Sequence, residues 1–284
     1  MANSINTNAG ALIALQNLNN TSRDLAITQN RVNTGQKVSS AKDNGAIFAI
    51  ATNQRAEMGA LDAVKNSMQR GQSIVDVALA AGETVVKALE EQKSLAVAIS
   101  NASGDALKAY VTDYNALGAE ITKALAGATF DGVNLFTDAT AAGAPISVKT
   151  GTGATDSFNL KGGAAAAAAT TVATTTAVTV ADYSAPTVGE RTTLTGLTAA
   201  VDGAIKTFTA ELGALGTKSK SLERSLNFTS KMQDALEVGV GNLVDADLAK
   251  ESAKLTALQT KQQLGVQALS IANQSSSILL GLFR

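Results

Sequence analysis

From Leu264 to Phe283 the sequence carries no charge, and along it Leu264, Ala268, Ile271, Ser275, Ile278 and Leu282 follow at alternating intervals of four and three residues. That alternation keeps side chains on one side of a helix and is the rhythm of a coiled-coil seam. A chain terminus is ordinarily polar and frayed. An uncharged helical end therefore needs something to cover its apolar stripe, in the same molecule or in another. A bilayer would serve for a segment of this length, but Gln267, Asn273, Gln274 and the run Ser275 to Ser277 interrupt it, which argues against a membrane span.

Composition removes several classes of chemistry. The 284 residues contain no cysteine, histidine or tryptophan. Without Cys there are no disulfides, thiol nucleophiles or thiolate metal sites. Without His there is no Ser–His triad and no helix-borne zinc protease motif. The 23 basic and 24 acidic residues leave a net charge of −1, so there is no electrostatic case for nucleic acid or an anionic membrane. The start, "MANSINTNAGALIALQNLNNTSRDL", has no basic residue before Arg23 and no long apolar core. It does not read as a cleavable secretion signal.

The ends of the chain read as helix and the middle does not. Ile5 and Leu12 are seven apart, as are Leu18, Leu25 and Val32. "VNTGQKVSSAKDNG" breaks this pattern at Val32 to Gly45. A longer helix follows, with Ile47, Ala51, Met58, Leu61, Met68, Val75, Leu79, Val86 and Leu89 as its apolar stripe. After a turn at Asn101 to Asp105, a third helix is expected to bury Leu107, Tyr110, Tyr114, Leu117, Ile121 and Ala124. Asp131-Gly132 between apolar flanks signals a hairpin. Ile146 to Leu160 reads as two short strands around a Gly/Thr-rich connection, and Gly162 to about Thr193 is Ala/Thr-rich with little to bury. Helix resumes at Leu194, runs through Leu243, and gives way at Asp245 to a last helix with an acidic first turn.

No catalytic constellation emerges. "GVGNLV" at Gly239 lacks the third glycine of a dinucleotide fingerprint and follows a helical pattern rather than a strand. Neighbouring carboxylates such as Glu90–Glu91 and Asp245–Asp247 read as solvated faces or helix-start charges. No cofactor or metal site is expected, and no enzymatic role.

Three stretches resemble bacterial flagellin of the short α-proteobacterial type: "INTNAGALIALQNLNNT", "VNTGQKVSSAKDNGAIFAIA" and "LVDADLAKESAKLTALQTKQQLGVQALSIANQSSSILLGLFR". The likeness covers about Ala2 to Leu160 and Leu194 to Arg284. It implies a mainly α fold: a long coiled-coil-like helical bundle formed by both chain ends, with a small β-hairpin region and a short insert. The expected divisions are 1–44 and 245–284 as inner-core helices, 45–128 and 194–244 as bundle, 129–161 as hairpin region and 162–193 as outer segment.

The resemblance implies a structural subunit that polymerises into the flagellar filament used for swimming. It would be exported largely unfolded through the flagellar type III apparatus and fold on assembly, leaving the monomer unfolded over roughly its first and last 40 residues. Its partners would be other copies of itself or of paralogues, an export chaperone, the filament cap and the hook–filament junction proteins, with no nucleic acid and no membrane. Ile5, Leu12, Leu18, Leu25 and Val32, with Leu264, Ala268, Ile271, Ile278 and Leu282, would form the polymer interface, the last stripe facing both the chain's own N-terminal helix and neighbouring subunits. Thr170, Thr171, Thr174, Thr175 and Thr176 are candidate glycosylation sites. Glu91, Lys93 and Leu95 occupy the region that an animal Toll-like receptor reads in recognised flagellins. Glu91 stands where an arginine is expected, which implies poor recognition.

Two alternatives stand beside this reading. A hook–filament junction protein shares flagellin-like ends but usually diverges in the inner helices, which match here. A membrane-active exported helical protein would bind lipid vesicles as a monomer, whereas a flagellin would sediment as filaments.

Overall fold

The computed structural model describes residues 8–137, 146–160, 168, 171–172 and 177–282, with side chains described as far as residue 274 in the last helix. Five long helices and four short strands follow one another among these residues: α1 (Ala9–Thr34), α2 (Gly45–Asn101), α3 (Gly104–Gly127), β1 (Thr129–Phe130), β2 (Val133–Asn134), β3 (Ser147–Lys149), β4 (Ser157–Asn159), α4 (Val188–Val244) and α5 (Leu248–Leu282).

The ends of these helices are set by local chemistry. Asn8 accepts a hydrogen bond from the Ala11 N–H at 3.0 Å and caps α1. Gly35, at φ +69°, ends it in the left-handed conformation that glycine adopts without steric cost. In the following turn one carboxylate oxygen of Asp43 accepts from the N–H and hydroxyl groups of both Ser39 and Ser40. Asn44 then caps α2 by accepting from Ala46 and Ile47 at 3.1 Å. Asp247 does the same for α5, accepting from the Ala249 and Lys250 N–H groups at 3.1 Å.

The start of α4 differs from the sequence reading. The helix begins at Val188 rather than Leu194, because Thr187 and Glu190 form a capping box. The Glu190 N–H donates to the Thr187 hydroxyl at 3.3 Å, and the Thr187 N–H donates back to the Glu190 carboxylate at 2.7 Å. The Ala181 N–H also donates to Glu190, at 2.6 Å.

The chain divides into two compact units, one formed by residues up to Met58 and from Asp234 onward, the other by Gly59–Gln233. In the second unit α2 and α4 run antiparallel. Asp62 pairs with Gln233, Asp76 with Ser219 and Lys93 with Asp202, so the partner number falls as the α2 number rises. The buried face of α2 is Leu61, Val64, Met68, Gly71, Val75, Ala78, Gly82, Val85, Leu89, Gln92, Ala96 and Ile99, an unbroken alternation of threes and fours. Two members are glycines for a steric reason. A Cβ built on Gly82 would come 2.3 Å from Leu212 Cδ2 of α4, and one on Gly71 would come 2.3 Å from Val148 Cγ2 of β3. The glycines are holes that receive those side chains.

Helix α3 closes this core with Leu107, Val111, Tyr114, Gly118, Ile121 and Leu125. The expected face included Tyr110, but Val111 takes that place and Tyr110 is exposed. A tyrosine can keep its ring edge wet, whereas a β-branched aliphatic residue gains more from full burial. Gln92 is wholly buried and donates to the Tyr114 carbonyl at 2.9 Å, tying α2 to α3.

The β1–β2 hairpin turns on Asp131 and Gly132, both at positive φ, as a type I′ turn requires. Asn134, also buried, donates to the Leu125 carbonyl at 2.8 Å and so satisfies the end of α3. The β3–β4 pair is antiparallel, with Val148 opposite Phe158.

The Ala/Thr-rich segment was expected to bury little. Among its described residues Ala168, Val172, Val178 and Val180 lie in the core of the second unit. Asn115 of α3 holds the strand-like stretch there through two hydrogen bonds with Val178, at 2.8 and 2.9 Å. Alternation of valine with threonine or alanine over residues 177–180 is the signal, since every second residue there is buried.

Two expectations follow. Gly82→Val overfills the Leu212 hole and should cost roughly 1–3 kcal/mol in urea unfolding, whereas Gly59→Ala, on an open part of the same helix, should gain about 0.5–1 kcal/mol. The Glu190 carboxyl is held below its usual range, first by the Ala181 N–H and then by Thr187. A folded pKa depressed in this way gives stability that is complete above the ordinary carboxylate range and is lost as pH falls through the folded value. Urea midpoints of Glu190→Gln should therefore fall less steeply than those of wild type between about pH 5 and about pH 3.

Candidate assembly surface

In the first unit α1 and α5 pack antiparallel. Asn8 donates to the Ala272 carbonyl at 2.8 Å, Leu18 lies over Gly265, and Arg31 pairs with Glu251. Where the loop after α1 passes the start of α5, the Lys37 N–H donates to the Val244 carbonyl at 2.6 Å and the Ala246 N–H to that of Gly35 at 2.9 Å. The Gly35 to Val38 loop thus anchors the base of the pair.

The facing residues follow the heptad rhythm, and seven of the twelve are small or polar. On α1 they are Ala11, Ala14, Leu18, Thr21, Leu25 and Thr28; on α5 they are Leu255, Leu258, Gln262, Gly265, Leu269 and Ala272. Of these only Thr21, Thr28 and Leu258 are buried. Small residues let the backbones approach, at the expense of apolar area removed from water.

The larger apolar side chains point elsewhere. Leu12, Ile13, Leu15 and Ile27 of α1 are exposed, and so are Leu264, Val266 and Ile271 of α5, with Ile271 at 68%. Apolar residues lie on every side of α5 with almost no amphipathic bias, the pattern of a helix that is surrounded. Between α1 and α5 runs a groove of about 710 Å³ whose walls include Ile13, Leu18, Leu264 and Ala268.

The expected interface residues divide accordingly. Leu18, Leu25 and Val32 are half-buried along the first helix and its end. Leu12, Leu264, Ala268 and Ile271 are exposed. Ile5 lies outside the described residues, and the side chains of Ile278 and Leu282 lie outside the described side chains. Of the expected stripe, Leu264 and Ala268 stand at the rim of the groove against α1 and Ile271 is exposed. The facing stripe is Gly265, Leu269 and Ala272, one residue further on. Close packing under Leu18 selects the residue without a side chain, and that choice turns Leu264 and Ile271 outward.

Sequence reasoning missed Arg31 and Glu251, whose side chains pair at 3.2 Å. Their signal was a basic residue in the last turn of one helix and an acidic one in the first turn of another.

In the second unit Glu91 is exposed and lines a groove of about 510 Å³ with Leu95, Asp113 and Glu120. The Lys93 ammonium lies 2.6 Å from the Asp202 carboxylate. Of the candidate glycosylation sites Thr171 is exposed; Thr170, Thr174, Thr175 and Thr176 lie outside the described residues.

Among the described residues there is no metal-ligand cluster, and no helix is long and apolar enough to cross a membrane.

Comparison with known proteins gives these surfaces a context. Residues 5–141 match the family described as the bacterial flagellin N-terminal helical region, and residues 198–283 match the bacterial flagellin C-terminal helical region. The chain is 50% identical to flagellin FljM and 51% identical to flagellin FljN of Caulobacter vibrioides, each alignment covering 99% of both proteins. It is 36% identical to a flagellin of Brucella melitensis, again over 99% of both.

An exposed apolar residue that serves only in a polymer should be replaceable in the monomer. Ile271→Asp is expected to leave monomer helicity and unfolding within about 0.5 kcal/mol of wild type, while seeded solutions yield no sedimentable filament. Leu258→Asp, at a buried seam position, should block filament formation as well, by preventing the helix pair itself from closing on assembly.

Proposed function

This chain belongs to the bacterial flagellin family, a structural subunit of the extracellular flagellar filament, and from that premise we propose that its folding is completed by its own polymerisation. The observation that carries the proposal is the contrast between the two units. The second has a continuous core of large side chains drawn from three helices, two hairpins and the Ala/Thr-rich segment. The α1–α5 pair has a thin seam and leaves most of its large apolar side chains in water.

An isolated helix pair with so little buried area is marginal, since helical stability in proteins comes mainly from packing an apolar face. Neighbouring copies supply the missing cover. Ordering the terminal helices and adding a subunit are then one event, as for any segment that folds on binding. In this reading the outward stripes of Leu12 and Leu15 on α1 and of Leu264 and Ile271 on α5 are the polymer contacts. The bundle helices form a body that folds without neighbours.

The reading also accommodates export through the flagellar type III apparatus, with a chaperone before export and the filament cap and hook–filament junction proteins as assembly partners. A chain with no cysteine has no disulfide to form or reduce on the way. Terminal helices that are not independently stable need little work to unfold before passage. Sugars on the exposed Thr171 are compatible with a subunit whose surface meets the medium.

Limited proteolysis tests the coupling. Brief digestion of the soluble monomer should remove α1 and α5 and leave a resistant fragment close to Gly59–Gln233. The same digestion of filaments should leave both helices intact. Equal protection of the two helices in monomer and filament would sink the proposal.

A further inference from the structure

The α1–α5 seam contains one charged layer. Arg31 Nη1 donates to Glu251 Oε1 at 3.2 Å, with both side chains mostly buried. Thr28, fully buried, lies one turn before Arg31. Three polar atoms of this layer, Thr28 Oγ1, Arg31 Nε and Glu251 Oε2, are buried without a hydrogen-bond partner among the described residues. A partly satisfied buried ionic layer is a poor source of stability. Its best-attested use in helix pairs is to fix register.

This seam needs such a device. Ala11, Ala14 and Leu18 meet Gly265, Leu269 and Ala272, small and apolar residues that repeat every heptad. Sliding one helix past the other by seven residues again sets small and apolar residues opposite one another, the loss of the Gly265 position under Leu18 excepted. We infer that the Arg31–Glu251 pair, with Thr28 beside it, determines the register of the terminal helix pair. The inference rests on the proposal that α1 and α5 pair during assembly.

Both neighbouring registers are penalised by the residues that stand there. Slid one way, Glu251 meets Asp24 and Arg31 runs past the start of α5. Slid the other way, Arg31 meets Leu258 and Glu251 runs past the end of α1. The first slip sets carboxylate against carboxylate, the second sets a guanidinium against an aliphatic side chain, and both separate the pair. The native register also places Arg31 in the last turn of α1 and Glu251 in the first turn of α5, where each charge suits its helix dipole. A competing device is present: the Gly35–Ala246 and Lys37–Val244 backbone contacts also pin the base of the pair, but they read no side chain.

The absence of native cysteine gives a clean background for cross-linking. Leu18→Cys with Gly265→Cys reports the native register, because Leu18 Cδ1 lies 3.3 Å from a Cβ built on Gly265. Leu18→Cys with Leu258→Cys or with Ala272→Cys reports a slip of one heptad. Each variant is grown from seeds with wild-type protein in excess, so that a chain unable to polymerise alone is still read, and the filaments are then oxidised. With Arg31 and Glu251 in place, only the native-register pair should cross-link. In the Arg31→Leu, Glu251→Leu background the slipped pairs should rise about tenfold. The reversed pair, Arg31→Glu with Glu251→Arg, should return them to background. Exclusion of the Leu,Leu variant from filaments that admit the reversed pair also supports the lock. Slipped pairs that stay silent in Leu,Leu filaments assign register to the backbone bridge and overturn the inference, as does exclusion of both variants. Failure of the native-register pair to cross-link in wild-type background would overturn the helix pairing itself, and the lock with it.

Discussion

Two antiparallel heptad seams of opposite character underlie the architecture. The seam between α2 and α4 is dry; Leu212 of α4 fills the glycine hole at Gly82, and Val148 of β3 fills the one at Gly71 on the same helix. The seam between α1 and α5 mixes five leucines with alanine, glycine, threonine and glutamine, with an ion pair inside it. Knobs-into-holes packing gives both the same geometry. The first encloses many fully buried large side chains, whereas Leu258 is the one buried large apolar residue among the described positions of the second.

Three amides in or beside the core of the dry unit each have a local task. Gln92 reaches the Tyr114 carbonyl, Asn115 brackets Val178, and Asn134 accepts from the N–H groups of Phe136 and Thr137 while donating to the end of α3. These are neutral amides that complete backbone hydrogen bonding where α3, the hairpin and the valine-rich stretch meet. A buried amide with partners costs little and selects one arrangement over others that would strand it. The terminal helices instead place a charged pair in their seam, where separation of the helices would return both charges to water.

The long helices were legible because heptad spacing survives even when single positions are polar. Every residue of the stripe read from Ile47 to Leu89 is at least half-buried, and Asp131-Gly132 turns the hairpin it announces. The errors fall where spacing alone is ambiguous by one residue. Tyr110 and Val111 both continue the α3 pattern, and so do Leu264 and Gly265 on α5. In each case the choice was made by shape: a ring that keeps its edge wet in one, a missing side chain that admits Leu18 in the other. The start of α4 was missed for a different reason. Its signal lies in the capping box at Thr187 and Glu190, which an apolar pattern does not register. The core role of the valines near Val178 was hidden by a composition that reads as low complexity.

In the proposed reading, with export in an unfolded state and folding completed on assembly, the thinness of the terminal seam has a physical counterpart in polymer growth. Had the α1–α5 face carried leucine at Ala11, Ala14 and Gly265, the pair would fold within one chain and could no longer be threaded through a narrow channel without work. Its outward stripes would then be presented ready-made by every free monomer, and an exposed rigid apolar surface invites association anywhere rather than at a growing end. A seam too weak to form alone keeps those stripes from being displayed on a folded helix until neighbours are present to cover them. A weak seam of small residues is also poorly specified along its length, so it needs a marker that is costly when misplaced. Placing charge at Arg31 and Glu251 lowers the stability of the isolated pair and, by the same desolvation physics, raises the penalty for every wrong register. On both proposals, conditional folding and correct register rest on the same few residues of the seam.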